Sequence, residues 1–225
     1  MTQIALATAF MSYLIGSFPT AFLFGKKFLN QDIRNLGTRN LGAYNVFRSV
    51  GWIQGAVTLL IDALKGYIPV MVAIMLELNY FWIGACASLA LIGHNWSIFT
   101  RFKGGKGGST SAGILFALFP KQFPIIFIFF LILLALTKNL SFVIGMSILI
   151  FPFIVLVGTE STKLVAISFI IPAIGLIRLA PFIRRMFKVS EGSLKKMLFI
   201  ILKGFNQYEQ ICAKEKKTDS QLQVK

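Results

Sequence analysis

From Ile4 to Phe24 the chain carries no charged side chain over about twenty-one positions. A helix of that length rises about 30 Å, the thickness of the hydrocarbon layer of a bilayer. No Lys or Arg precedes the run, and the first positive charges, Lys26 and Lys27, follow it. It therefore lacks the basic region of a secretory signal and reads as a retained span with its N-terminus outside. Apolar runs recur at 52–76, 80–92, 113–119, 123–136, 140–157 and 164–177. Composition agrees: 56% of residues are hydrophobic and 14% charged, where about 25% charged is usual for a soluble domain. A disordered chain is excluded, since it could not carry so much apolar surface.

The expectation is an all-α integral membrane protein of about seven transmembrane helices. Five is the alternative, if 113–136 and 140–177 each form one crossing. The charge tests the parity, because cytoplasmic loops collect Lys and Arg. The sequence holds 23 Lys and Arg against 8 Asp and Glu, a net +15, and three blocks carry 14 of it: 26–48 (+4), 101–106 (+3) and 178–225 (+7). With the N-terminus outside, an odd count puts all three blocks and the C-terminus in the cytoplasm; an even count strands the +7 block outside. Residues 1–204 are expected to form a single polytopic membrane domain and 205–225 a polar cytoplasmic tail.

Function is sought where polar, glycine-rich sequence meets the membrane boundary. The first such stretch runs from Gly16-Ser17-Phe18-Pro19 through Asp32-Ile33-Arg34 to Gly37-Thr38-Arg39-Asn40-Leu41-Gly42-Ala43-Tyr44-Asn45 and Arg48. Gly and Asn tolerate positive φ, so such a loop can turn amides toward an anion, and Arg adds forked donors suited to phosphate. A solvated basic loop held by anionic lipid has the same composition. The second stretch is Gly93-His94-Asn95-Trp96, then Phe102-Lys103-Gly104-Gly105-Lys106-Gly107-Gly108-Ser109-Thr110. Glycines ahead of a helix with two lysines among them read as a phosphate cradle. It is not a Walker A loop, since Gly107 stands where Ser or Thr must follow Gly-Lys. A flexible interfacial hinge is the bland reading. The third stretch holds Arg178, Arg184, Arg185, Lys188 and Glu191 ahead of a basic amphipathic segment suited to lying on anionic lipid.

His94 is the one histidine, and Cys86 and Cys212 have no metal-ligand spacing, so neither a metal nor a cofactor is expected. No acid follows His94 at four or five residues. Asp62 and Lys65 lie three residues apart inside the second apolar run, on one helical face. Mutual neutralisation explains them; support of the basic loops is the other reading.

In order, Gly-Ser-x-Pro at 16–19, Gly25-Lys26, Asp-Ile-Arg-x-x-Gly at 32–37, Asn-x-Gly-Ala-x-Asn-x-x-Arg at 40–48, Asp-x-x-Lys-Gly at 62–66, Gly93-His94 and Phe-Lys-Gly-Gly-Lys-Gly at 102–107 resemble the acyl-phosphate:glycerol-3-phosphate acyltransferases, the PlsY family. The resemblance is dense over 16–113 and loose beyond. It implies an enzyme of the bacterial inner membrane, active on its cytoplasmic face. The reaction moves a fatty acyl group from acyl phosphate to glycerol 3-phosphate, giving lysophosphatidate for phospholipid synthesis. Its partners are those two small substrates and the bilayer, with no nucleic acid.

By the same resemblance Thr38, Arg48 and Lys106 are catalytic. Asn40, Gly42, Asn45, His94, Lys103, Gly104, Gly105 and Gly107 serve phosphate binding, with the glycines at 104, 105 and 107 as backbone donors. Asp32, Arg34, Asp62, Lys65, Arg178, Arg185 and Glu191 give support. Thr38 stands where the family has Ser, Arg39 where it has Gly, Tyr44 where it has Thr, and Leu179 and Phe182 where its third motif has His and Asn. A non-catalytic homologue that binds phosphorylated lipid precursors and a carrier of small anions remain the alternatives.

Overall fold

The computed structural model describes residues 1–137, 139–190 and 193. Among them every regular element is helical. Nine α-helices follow in order: α1 Thr2–Ser17, α2 Thr20–Leu29, α3 Ala43–Ser49, α4 Trp52–Met75, α5 Tyr80–Asn95, α6 Gly108–Leu118, α7 Phe123–Thr137, α8 Leu140–Gly158 and α9 Thr162–Val189. Short 3-10 turns at Ile33–Asn35 and Ile98–Thr100 lie in the two long connections.

Each later apolar run lies within its own helix, and the merged crossings at 113–136 and 140–177 are interrupted by turns at 119–122 and 159–161. The first run is not one helix. It breaks at Phe18-Pro19, because proline has no N–H for the helical ladder and drives the preceding residue out of the α region; Phe18 sits at φ −55°, ψ 122°. Counted with its break, Thr2–Leu29 is long and apolar enough to cross a membrane, as are Trp52–Met75 and Thr162–Pro181. Gly108–Leu118, Phe123–Thr137 and Phe142–Gly158 are shorter apolar helices.

Glycines set the closest contacts. A side-chain carbon on Gly16 would strike the Ala90 carbonyl, and one on Gly93 the Tyr13 carbonyl, so α1 and α5 touch backbone to backbone. The α4–α6 pair repeats the device: Gly66 lies on the Thr110 carbonyl and Gly113 on that of Ala63. Small residues at such crossings let helix axes approach where no hydrophobic force separates protein from lipid. Leu6 and Phe10 share a groove with Phe81 and Trp82 at the start of α5, and Ser97 beyond its end bonds the Ser17 carbonyl, so α1 and α5 run parallel. Gly84 against Ile167, with Arg178 over Trp96, aligns α9 with both. Tyr67 of α4 stacks on Phe116 of α6, and Gly108 against Ile144 with Phe119 against Phe151 aligns α6 with α8. The C-terminal ends of α1, α5 and α9 therefore gather with the start of α6 at one end of the bundle. The core, from Ala5 and Val70 to Phe151 and Ile171, fills the space beneath them.

The side chains of Phe182, Arg185 and Lys188, together with Glu191 and the tail 205–225, lie outside the described residues.

Candidate functional site

The first loop is held by two hubs. Asp32 accepts from the Arg34 amide and pairs with its guanidinium at 2.6 Å, while Arg34 Nη1 reaches across to donate to the Thr100 carbonyl at 3.2 Å. The hydrogen bond from Arg34 holds the Asp32 carboxyl below the usual carboxylate range, and the same bond raises Arg34. Asn45, 1% exposed, is the second hub. Its Oδ1 accepts from the Thr38 amide at 2.8 Å and the Ser49 hydroxyl at 3.4 Å, and its Nδ2 donates to the carbonyls of Ile33 and Asn40. Ile33, Leu41, Ala21 and Val46 form a small core under the loop.

The loop turns through left-handed positions at Gly37 (φ 49°) and Arg39 (φ 56°). Arg39 thus occupies backbone that glycine adopts without cost. Tyr44, the other bulky departure, offers its ring to Arg48, whose guanidinium carbon lies 5.9 Å from the centroid. Arg48 and Tyr44 are exposed on α3; Thr38, Asn40 and Gly42 are half-buried.

The second loop folds back onto the end of α5. Gly104 and Gly105 donate their amides to the carbonyls of Asn95 (3.2 Å) and His94 (3.0 Å). Those N–H groups are spent inside the protein, so the expectation that both would face an anion does not hold. The glycines are required for another reason. A side-chain carbon at 104 would collide with the His94 carbonyl, and one at 105 with the His94 ring and the Leu41 carbonyl. Leu41 belongs to the first loop, so the two loops meet at Gly105. Gly107, expected as a third backbone donor, makes the turn into α6 at φ 78°. The starting amides of α6, at Gly108, Ser109 and Thr110, have no carbonyl a turn earlier in the helix and leave a positive helix end.

Arg178 braces this loop from α9. Its Nε donates to the Gly105 carbonyl and its Nη2 to that of Gly104, both at 2.8 Å, over the ring of Trp96. Lys106 is half-buried nearby; burial first, then the positive Arg178, lowers its ammonium below the usual lysine range. Lys103 is exposed. Among the described side chains of the third stretch, Arg178 is the one that bonds the second loop.

Under both loops lies the buried Asp62–Lys65 pair at 2.5 Å, with side chains 3% and 4% exposed. Lys65 Nζ also donates to the Phe18 carbonyl at 2.5 Å, capping the helix break, and His94 Nδ1 stands 4.0 Å from Asp62 Oδ1. A small, partly open cleft lies here, lined by Ser17, Thr20, Lys65, His94, Ser97 and Gly105 among others. The hydroxyls of Ser17 and Thr20 are buried without a hydrogen-bond partner, as is the whole side-chain amide of Asn95 beside Gly107. Ser17 and Asn95 lie in the two stretches read from the sequence but had no role of their own there, and Thr20 was outside them. Ser17 and Thr20 flank a proline inside an apolar run, which was the available signal.

Among the described residues, Asp32 and Asp62 are the carboxylates at this end, and each is engaged by a cation. No group of three His, Cys, Asp or Glu gathers among those residues. What is left is a surplus of positive charge around a cleft, with donors fixed by the bundle, an arrangement suited to anionic groups.

Comparison with known proteins matches residues 6–189 to the family described as glycerol-3-phosphate acyltransferase. Glycerol-3-phosphate acyltransferase 2 of Dehalococcoides mccartyi is 36% identical over 200 residues, covering 88% of this chain and 94% of the relative. A glycerol-3-phosphate acyltransferase of Macrococcus caseolyticus is 37% identical over 197 residues, covering 86% and 98%. The crystal structure of PlsY, an integral membrane glycerol 3-phosphate acyltransferase, in its glycerol 3-phosphate form superposes with a TM-score of 0.75 at 26% identity over 82% of this chain and 92% of that one. Its lysophosphatidic acid form gives 0.73 at 24% identity over 87% and 99%, a likeness of fold. The chain belongs to the glycerol-3-phosphate acyltransferase family of integral membrane proteins.

Proposed function

We propose that this protein transfers a fatty acyl group from acyl phosphate to a hydroxyl of glycerol 3-phosphate, yielding lysophosphatidate and inorganic phosphate. The observation that carries the proposal is the carboxylate-sequestered, cationic junction of the two loops and Arg178. Both reactants are phosphate anions. The hydroxyl oxygen attacks the acyl carbonyl carbon, the carbon–oxygen bond to phosphate breaks, and the departing phosphate takes the hydroxyl proton. An acyl phosphate is a mixed anhydride with a good leaving group, so the protein acts mainly by holding two anions in register and stabilising charge.

In this reading Arg48, Lys103 and Lys106 hold phosphate together with Thr38, Gly107 and the first amides of α6. Asn40, Gly42 and Asn45 shape the first loop, and His94, Gly104 and Gly105 seat the second. Asp32, Arg34, Asp62, Lys65 and Arg178 support both, and Arg185 and Glu191 extend that support along the third stretch. Seven crossings are supported by one helix for each later apolar run, α4 to α9, after the broken first run, and the charge distribution favours an outside N-terminus and a cytoplasmic active face.

The test supplies purified protein in detergent with palmitoyl phosphate and labelled glycerol 3-phosphate. Labelled lysophosphatidate that disappears in Arg48→Ala and Lys106→Ala supports the enzyme. Retained glycerol 3-phosphate binding without product turns the reading toward the non-catalytic homologue, to which Leu179 beside Arg178 on α9 would then be the first clue.

A further inference from the structure

The connection between α5 and the cradle carries a second feature that the acyl-transfer chemistry does not use. Ile98, Phe99 and Phe102 are 50%, 59% and 57% exposed, and Arg101 and Lys103 beside them are exposed as well. Three large apolar side chains at the tip of a polar loop are not a solvated turn. Nor is the tip loose. Phe102 donates its amide to the Ser97 carbonyl at 2.8 Å, Thr100 and Lys103 close two further turns, Arg34 fixes the Thr100 carbonyl, and Ser97 Oγ donates to the Ser17 carbonyl at 2.5 Å.

Arg101 and Phe102 both hold left-handed backbone, φ 55° and 58°. That region disfavours L side chains, most of all a bulky ring, so the surrounding structure must impose it. The result turns apolar and cationic side chains outward together. Phe18, 49% exposed at the helix break, borders the same surface through the Ser17–Ser97 contact, and Phe18 and Ser97 both line the cleft.

We propose that the tip formed by Ile98, Phe99, Arg101 and Phe102 docks into the headgroup region of an anionic bilayer leaflet. There the aromatic rings sit at the interface and the Arg101 guanidinium meets lipid phosphate. Charge complementarity selects the occupant: a zwitterionic or neutral surface would accept the rings but gain little from Arg101. The same rigid segment leads directly into Gly104–Lys106, so docking fixes the cradle at the depth where a single-chain anionic lipid presents its phosphate. This rests on the acyl-phosphate reading only for its consequence, not for the docking itself.

Two measurements test it. The first places a nitroxide at Phe99→Cys in a background of Cys86→Ala and Cys212→Ser, with the full chain reconstituted in vesicles of mixed phosphatidylcholine and phosphatidylglycerol. Power saturation is expected to show access to oxygen and protection from a water-soluble nickel chelate, with protection weakening in pure phosphatidylcholine. Free access of the chelate in both vesicle types overturns the docking.

The second compares Arg101→Gln and the pair Ile98→Ser, Phe99→Ser with wild type. In detergent all should turn over palmitoyl phosphate alike, which also shows that they fold. In anionic vesicles Arg101→Gln should lose about fivefold in rate, the worth of one basic residue at an anionic surface, and the double variant more. Equal loss in detergent and in vesicles overturns the proposal by making the tip part of the protein's own fold. Absence of turnover in wild type speaks against the acyltransferase reading and leaves the spin-label result to decide the docking.

Discussion

Asn45 has both polar atoms of its side chain engaged, and each bond ties a different piece of the first loop. Asn45→Asp keeps the acceptor for Thr38 but replaces two donated bonds with a carboxylate facing the carbonyls of Ile33 and Asn40. Unsatisfied buried groups cost about 1–3 kcal/mol each, so the variant should lose about 2–4 kcal/mol in thermal or denaturant unfolding. Asn45→Ala should be milder, because it adds no buried charge. Lys106 carries a second residue-level expectation. Its ammonium gives up its proton at lower pH than a free lysine, which titrates near about 10.4. A phosphate ligand needs the charged form, so KM for glycerol 3-phosphate should climb as pH rises through that lowered pKa. Lys106→Arg, charged throughout, should flatten the climb, and identical profiles would remove Lys106 from phosphate binding. Residue types at the site were legible in the chain, but bonding partners were not. Gly104 and Gly105 looked like anion donors because their amides are local facts, whereas the carbonyls that claim them lie at the end of a helix ten residues earlier.

Helices were legible from apolar run length, and their breaks less so. Pro19 lay in plain view inside the first run, yet a proline in a long apolar segment kinks, breaks or is tolerated according to what satisfies the freed carbonyl. Here the Phe18 amide takes the Ile15 carbonyl, and Lys65 reaches from α4 to the Phe18 carbonyl at the break, a tertiary fact. The Asp62–Lys65 pair is therefore more than neutralisation. Lys65→Met leaves Asp62 buried without its cation and should destabilise the fold by about 3–5 kcal/mol. Asp62→Asn in the same chain should recover part of that loss, and the remainder measures the lost Lys65 bond to the Phe18 carbonyl, which keeps its bond from the Thr20 amide. Full recovery would reduce the pair to mutual neutralisation. Glycine contacts provide a comparison that needs no charge. Gly93→Ala and Gly113→Ala push a methyl group into a neighbouring backbone carbonyl and should each cost about 1–3 kcal/mol or more. Gly145→Ala, in α8 with no atom within 4 Å of the new carbon, should instead gain about 0.5–1 kcal/mol from helix propensity. Thermal unfolding in one detergent orders the three, and a stabilised Gly93→Ala would refute the close α1–α5 crossing.

Across the whole molecule the charge is segregated by end. The long connections at 30–42 and 96–107 collect Arg34, Arg39, Arg101, Lys103 and Lys106, while the turns at the opposite end hold Glu77, Lys121, Glu160 and Lys163, whose charges cancel. The directions of the helices put each group at a single end without reference to charge, so two independent observations give the same division. On our proposed reading the positive-inside rule puts the basic end in the cytoplasm, which labelling tests. In a chain lacking Cys212, single cysteines at Lys121 and Glu160 should react with a membrane-impermeant maleimide on intact spheroplasts. Cysteines at Gln31 and Asn35 should react only after permeabilisation. The reverse pattern would invert the protein and place the cradle where a cytoplasmic pool of glycerol 3-phosphate cannot reach it. Labelling of Lys121→Cys and Glu160→Cys from opposite sides would change the number of crossings between them, since an even number of helices, α7 and α8, separates those turns. Orientation and crossing number thus fail separately, and the proposed chemistry depends on the first far more than on the second.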